Sequence, residues 1–141
     1  MQDAQLEIET RELYILSRHL VSDINFSEGE IKFLANMFHK YLIPAPNAAL
    51  LVKAGKLENE IAQIDNHIPG LKNKVSELSK CIDPLINKQD KVIGMDLLEH
   101  FFSLETEIKL LFESVMAFKT LLFGFVDEVL KAERHDLLSI I

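Results

Sequence analysis

The sequence predicts an all-α fold: a helical bundle of about five helices with long, heptad-patterned segments. No run of strict two-residue alternation extends beyond a few positions, whereas apolar residues recur three and four apart along most of the chain. Hydrophobic residues make up 48% of the 141 residues, enough to bury a core in a single domain. We therefore expect one helical domain over residues 1–141, with approximate helices at 3–24, 28–42, 48–68, 71–82 and 95–138.

Two helices are predicted before the first prolines. The apolar face of the first helix consists of Leu13, Leu16, Leu20 and Ile24. The second is predicted to begin after Ser27, because Ser27 and Glu30 have the spacing of a capping box. Phe26 and Ile31 occupy the positions of a hydrophobic staple around this box.

Proline and asparagine predict the next boundary. Pro44 and Pro46 remove backbone donors and end the second helix, and Asn47 is a suitable N-cap for the third. A later boundary is predicted at Asp83 and Pro84, followed by a polar loop over residues 87–91.

The middle of the chain carries an uninterrupted seam of apolar residues, alternately four and three apart, over residues 50–85. Such a repeat is typical of helices that pack lengthwise on other helices. The central part of the seam is the predicted helix–helix interface, which consists of Leu57, Ile61, Ile64, Ile68, Leu71, Val75 and Leu78.

Pro69 and Gly70 interrupt this segment without changing the phase of its repeat. Acidic residues such as Asp65 flank the seam before the pair, and basic residues such as Lys74 flank it afterwards. This order favours an antiparallel arrangement over a parallel one. We favour a hairpin or sharp kink at Pro69, because Pro followed by Gly is typical of turns. An antiparallel dimer of kinked rods has the same charge order.

The last helix, from about residue 95 with Asp96 in its first turn, is apolar over much of its circumference. Its aromatic residues have two interpretations. They form either an ordinary core or a pocket for a hydrophobic small molecule. The candidate pocket consists of Phe101, Phe112, Met116, Phe118, Phe123 and Phe125.

Catalytic and metal-binding patterns are absent from the sequence. No Glu-x-x-His, His-x-x-x-His or HExxH spacing occurs. In histidine phosphotransfer domains the active histidine is followed by a lysine three residues later and then a glycine, and none of the five histidines here has this sequel. The five glycines are scattered, so no phosphate-binding loop is predicted. We expect a protein that is not an enzyme, with no metal and no cofactor.

The net charge of −7 argues against nucleic-acid binding. The longest charge-free part of the most apolar segment, residues 120–126, is far shorter than a membrane span. The N-terminus has no apolar signal region. Cys81 is the only cysteine, so no disulfide can form within the chain. These features predict a soluble, cytoplasmic protein.

Residues 130–141, "LKAERHDLLSII", resemble the segment that leads into the dimerisation helix of sensor histidine kinases, without the phosphoacceptor box. The resemblance implies an input domain whose last helix transmits a signal; an amphipathic helix end is the simpler interpretation. Two functional hypotheses follow. The first is a regulatory or adaptor module that acts through helix-mediated association, as a homodimer. The second is a sensory input domain that binds a small hydrophobic ligand in a Phe-rich core.

Overall fold

The computed structural model describes residues 2–42, 47–86 and 94–140, and within these ranges every residue except Asn47 and Gly94 is helical. The helices are α1 (Gln2–Leu42), α2 (Ala48–Ile86) and α3 (Met95–Ile140). Each contains about forty residues and is therefore about 60–70 Å long. The all-α prediction is confirmed. The predicted number of about five helices is wrong, because the described part of the chain forms three longer ones.

The pairing of residues between helices shows that α2 runs antiparallel to both of its neighbours. As residue numbers rise along one helix, the numbers of their partners fall along the next, in the polar contacts Glu28–Lys72, His39–Glu58, Lys53–Glu128 and Lys74–Glu107. Helices α1 and α3 are parallel, since the separation between contacting residues stays nearly constant along them. Lys119 lies 89 positions after its partner Glu30, and Phe125 lies 87 positions after its partner Phe38. The chain is thus an up-down-up bundle of three helices.

One hydrophobic core runs along the axis of this bundle, and all three helices contribute to it. In α2 and α3 its buried members are all apolar and recur three and four apart. The buried residues of α1 follow the same spacing but include three polar side chains, Thr10, Ser17 and Ser27. Long helices in water depend on such tertiary packing more than on local propensity.

The helix start predicted after Ser27 is wrong, because α1 continues through this position. Ser27 lies in the core at 1% exposure, and its hydroxyl has no hydrogen-bond partner among the described residues. Glu30 does not fold back onto a cap but pairs with Lys119 at 3.4 Å. Ile24 before Ser27 and Ile31 after it are both buried at the spacing of the other core residues of α1. Core packing therefore outweighs the local capping signal.

The hairpin predicted at Pro69 and Gly70 is wrong, because α2 is one helix across both residues. Ile68 and Leu71, on either side of the pair, are buried in the core, whereas Pro69 and Gly70 are exposed. No glycine in the described ranges has a positive φ. The carbonyl of Asp65 loses its helical donor to the proline, and because Asp65 is an exposed residue, water can replace that donor. Pro84 is likewise inside α2, so the boundary predicted there is wrong.

Other helix ends are where the sequence predicts them. The side-chain oxygen of Asn47 accepts a hydrogen bond from the Leu50 amide at 2.9 Å, which confirms it as the N-cap of α2. Helix α1 ends at Leu42, and Asp96 lies in the first turn of α3. Pro44, Pro46 and the predicted loop at 87–91 lie outside the described residues.

Candidate interaction face between α1 and α3

The seven predicted interface residues of α2 all lie inside the bundle. Their exposed fractions are 1–5%, and they belong to the core that α2 shares with α1 and α3. The predicted seam therefore joins helices of one chain. While the bundle is intact, these side chains are not accessible to a second molecule.

The six residues of the predicted pocket do not surround one cavity. Phe101, Phe118 and Phe125 are core residues at 1–3% exposure. The other three, Phe112, Met116 and Phe123, are 40–48% exposed on the outside of α3. The two groups differ in helical phase, because a residue one position away from the core seam is rotated by about 100°.

All five exposed phenylalanines of the chain lie on the side where α1 and α3 meet. Of the nine phenylalanines, Phe38, Phe101, Phe118 and Phe125 are buried. The exposed five share a surface with neighbouring aliphatic residues, which we call the α1/α3 face. It consists of Leu16, Phe26, Phe33 and Met37 of α1 and Phe102, Phe112, Met116, Phe123, Val126 and Leu130 of α3. A single face thus carries the exposed phenylalanine surface of the described chain.

Aromatic contacts join the two helices across the α1/α3 face. The rings of Phe26 and Phe112 have centroids 6.3 Å apart at a tilt of 34°. Further along, Lys119 pairs with Glu30 at 3.4 Å and lies 5.8 Å from the centroid of the Phe123 ring. The lysine charge therefore covers an aromatic surface and does not interrupt it.

A groove of about 670 Å³ opens on the face near the C-terminal end of α1. Its apolar lining comes from both helices: Phe33, Met37, Tyr41, Phe123, Val126 and Leu130. Asn36, Lys40 and Asp127 add polar groups to the lining. Such a groove between two parallel helices accepts an apolar side chain or a small apolar molecule.

The other two inter-helix grooves are bridged by ion pairs and by one histidine–carboxylate hydrogen bond. Between α1 and α2 the distances are 2.7 Å for Glu28–Lys72 and 3.3 Å for His39–Glu58. The hydrogen bond from Lys72 holds the pKa of Glu28 below its ordinary value. Two further pairs, Lys53–Glu128 at 2.8 Å and Lys74–Glu107 at 3.2 Å, connect α2 to α3. Among the described residues, two polar contacts therefore cross each of these grooves, whereas the α1/α3 groove has the single ion pair Lys119–Glu30 beside its aromatic contact.

Charged side chains lie both within and beside the α1/α3 face. On α1, Glu12 and Asp23 are exposed at multiples of seven residues from Phe26 and Leu16, and the next exposed row, residues 15, 22, 29 and 36, is uncharged. On α3, the exposed row beside the face, with the same spacing, is Glu99, Thr106, Glu113, Thr120 and Asp127. The basic residues Lys32 and His39 lie on the other flank of α1, where His39 contacts Glu58 of α2 at 3.3 Å. The face is thus acidic along its α3 border and uncharged along its α1 border.

The sequence does carry a signal for this face. In both α1 and α3 a second apolar pattern runs beside the buried one, as in the seven-residue spacings Phe26–Phe33 and Met116–Phe123. In α3 this pattern also fits a wide core stripe. In α1 the spacing predicts that Leu16 faces inward, but Ser17 holds the buried position and Leu16 is exposed.

No group of histidine, cysteine, aspartate or glutamate able to hold a metal ion occurs in the described ranges. None of the helices, over the residues described, has a stretch long and apolar enough to cross a membrane. Comparisons with protein families, with curated proteins and with solved structures found no match. The α1/α3 face is the feature of this chain with the clearest functional implication.

Proposed function

We propose that the protein is a non-enzymatic regulatory or adaptor module that acts by helix-mediated association through the α1/α3 face. The observation that carries the proposal is the location of all five exposed phenylalanines on this one surface. Large exposed apolar patches on folded domains are typical of interaction sites. Aromatic residues are also enriched among the side chains that dominate binding energy.

The size of the face suits a protein partner. Each exposed phenylalanine leaves 43–59% of its surface in water. At about 200 Å² for a whole residue, five of them expose roughly 500 Å². Leu16, Met116 and Leu130, each about 40% exposed, raise the total to roughly 700 Å², close to the ~800 Å² per partner of a standard interface.

The shape of the face suits a helix. Two parallel helices leave a long shallow groove between them, and an amphipathic helix can place apolar side chains in it at intervals of three and four residues. The apolar residues of the face extend along α3 from Phe102 to Leu130, which is about 40 Å. This length corresponds to several turns of a partner helix.

Photo-crosslinking tests the proposal. A photoreactive benzoyl-phenylalanine replaces Phe33, which is 58% exposed on the face, and in a control protein it replaces Leu110, which is 55% exposed on α3 outside the face. In cells that express the chain, we expect a discrete crosslinked protein from position 33 and none from position 110. Crosslinking to a second copy or to another protein supports the proposal. Absence of any product at position 33, or equal products at both positions, contradicts it.

The groove supports a second candidate function, that of a sensory input domain for a hydrophobic small molecule. Of the six predicted pocket residues, Phe123 lines this groove, and α3 continues from it to Ile140. Native mass spectrometry of the purified protein tests this function. A bound apolar molecule that is lost in a Phe123→Ser variant, and retained in a Leu121→Ser control outside the groove, supports it. A ligand-free spectrum contradicts it.

A further inference from the structure

We propose that the α1/α3 face binds an amphipathic helix of another protein, and that the basic side chains of this helix lie in one half of its length, beside its apolar seam. This inference rests on the proposed function, because it names the chemistry of the partner of the same face. It is carried by the distribution of charge along the face, where unpaired acids occupy one half and the apolar groove occupies the other.

Heights along the face can be compared between α1 and α3. Side chains of α3 that contact α1 lie 86 to 89 positions after their partners, as for Phe26 and Phe112. Glu12 of α1 is therefore level with Glu99 of α3, which lies 87 positions later. The two helices thus start the face at the same height.

Five acidic side chains lie in the half of the face nearer the N-terminal ends of α1 and α3. All five are exposed, and none has an ion-pair partner among the described residues; they are Glu12, Asp23, Glu99, Glu105 and Glu113. Basic side chains in this half of the face, over the residues described, are Lys109 and, when protonated, His19. Acids therefore outnumber bases here, and this half attracts a cationic ligand.

The other half of the face contains the apolar groove. The polar groups of its lining are Asn36, Lys40 and Asp127. Asp127 already pairs with Lys131 at 3.0 Å, and Lys40 is the remaining charged side chain of the lining. A helix that fits the whole face therefore needs bases opposite the acids and apolar side chains opposite the groove.

The basic side chains of α1 do not neutralise these acids. Arg11, Arg18 and Lys32 lie in the same heptad row as His39, which contacts Glu58 of α2 at 3.3 Å. This row is on the flank of α1 that faces α2. A ligand of the α1/α3 face therefore meets the acidic side of α1 and α3, and complementary charge favours a basic partner.

A second copy of the chain lacks the required charges. In a parallel pair the five acids of one copy would face the same acids of the other. In an antiparallel pair they would face the apolar groove, where Lys40 is the unpaired base of the lining. Like charges and uncompensated acids at an interface disfavour both arrangements. The charge pattern therefore favours a different protein as the partner.

Binding of labelled model helices tests the inference. Each peptide has the same leucine seam, with spacings of three and four, and a length of about 28 residues, which matches a face of about 40 Å. Two lysine peptides carry lysines beside the seam, one in its N-terminal half and one in its C-terminal half, so both directions of the bound helix are represented. Two matched peptides carry glutamate in place of each lysine. Fluorescence anisotropy gives the dissociation constant of each peptide for the purified protein.

Two protein variants separate the charge of the face from the net charge. The face variant carries Glu99→Lys and Glu113→Lys. The control variant carries Glu60→Lys and Glu77→Lys, on exposed positions of α2. Both variants change the net charge equally, and circular dichroism confirms that each is helical.

We expect one lysine peptide to bind the wild-type protein about ten-fold more tightly than its glutamate counterpart. The face variant should lose this preference, and the control variant should keep it. Equal binding of the lysine and glutamate peptides, or no binding of either lysine peptide, contradicts the inference. An equal loss of preference in the face and control variants also contradicts it, because the preference would then come from net charge.

Photo-crosslinking separates this inference from the proposed function. If position 33 gives a discrete product with another protein or with a second copy, but neither lysine peptide binds, the basic helix is wrong and the association function stands. If position 33 gives no product and neither lysine peptide binds, both proposals are wrong.

Discussion

Replacing Pro69 by alanine should stabilise the protein, because α2 is a continuous helix at this position. Proline removes the hydrogen bond to the carbonyl four residues earlier and crowds that carbonyl. Pro69 is exposed and flanked by buried Ile68, so the substitution leaves the core column intact. The change therefore removes a local cost without removing a core contact.

The magnitude follows from two opposing effects. Alanine is favoured over proline in a helix interior by about 3 kcal/mol. Losing proline also makes the unfolded chain more flexible, which offsets about 0.5–1 kcal/mol of this gain. The net gain is about 2 kcal/mol in the free energy of unfolding. With an unfolding entropy of about 0.3 kcal/mol/K for 141 residues, the melting temperature should rise by about 7 °C.

Thermal and urea denaturation followed by circular dichroism measure this change. Ala62 is the matched control site, since it is exposed on α2 seven residues before Pro69. By the same two effects with opposite sign, Ala62→Pro should lower the free energy of unfolding by about 2 kcal/mol. Gly70→Ala and Gly55→Ala should each raise the free energy of unfolding by about 1 kcal/mol, because beyond the adjoining turns of α2 no atom lies within 4 Å of an added Cβ at either site. Destabilisation by Pro69→Ala and Gly70→Ala, with Gly55→Ala stabilising, would show that the chain turns at Pro69 and refute the continuous helix.

Two further predictions concern single side chains. Ser27→Ala should raise the free energy of unfolding by about 1 kcal/mol in urea titrations, because it removes a buried hydroxyl without a partner; Ser17→Ala should give no gain, since the Ser17 hydroxyl donates to the Tyr14 carbonyl at 2.7 Å. Because the folded-state pKa of Glu28 is lowered from 4.5, its contribution is present above pH 4.5 and is lost as the pH falls through the folded-state pKa. In urea titrations at several pH values, the free energy of unfolding should fall less steeply with decreasing pH for Glu28→Gln than for wild type, and as steeply as in wild type for the control Glu60→Gln. Equal pH dependence in all three proteins would contradict a stabilising role for the Glu28–Lys72 pair.

Much of the fold can be predicted from the sequence wherever periodicity and capping agree. The seam of α2, with Leu57 and Leu71 among its residues, is buried throughout its central part, and Asn47 caps α2 as its residue type predicts. The predictions fail where a short local motif competes with a long repeat. Ser27 and Pro69 have the local chemistry of a cap and a turn, but buried apolar residues before and after each of them continue the core spacing, and the helix continues with it.

The candidate face is harder to predict because residue type alone does not distinguish two phases of one helix. Phe101 and Phe102 are adjacent in sequence, and their rings are 5.6 Å apart, yet the first is buried and the second is 57% exposed. Which of the two faces inward depends on where α1 and α2 pack. That information is in the arrangement of the three helices and not in the local sequence of α3.

The polar members of the core have a consequence for the dynamics of the bundle. Thr10, Ser17 and Ser27 place all three buried polar residues of the described chain in α1. A helix that gains less from burial detaches at a smaller free-energy cost than its neighbours. Amide protons of α1 should therefore exchange with deuterium before those of α2 and α3. Because α1 supplies part of the α1/α3 face, the opening of α1 would disrupt the surface that we propose for binding. Occupancy of that surface and the lifetime of the closed bundle should therefore rise and fall together.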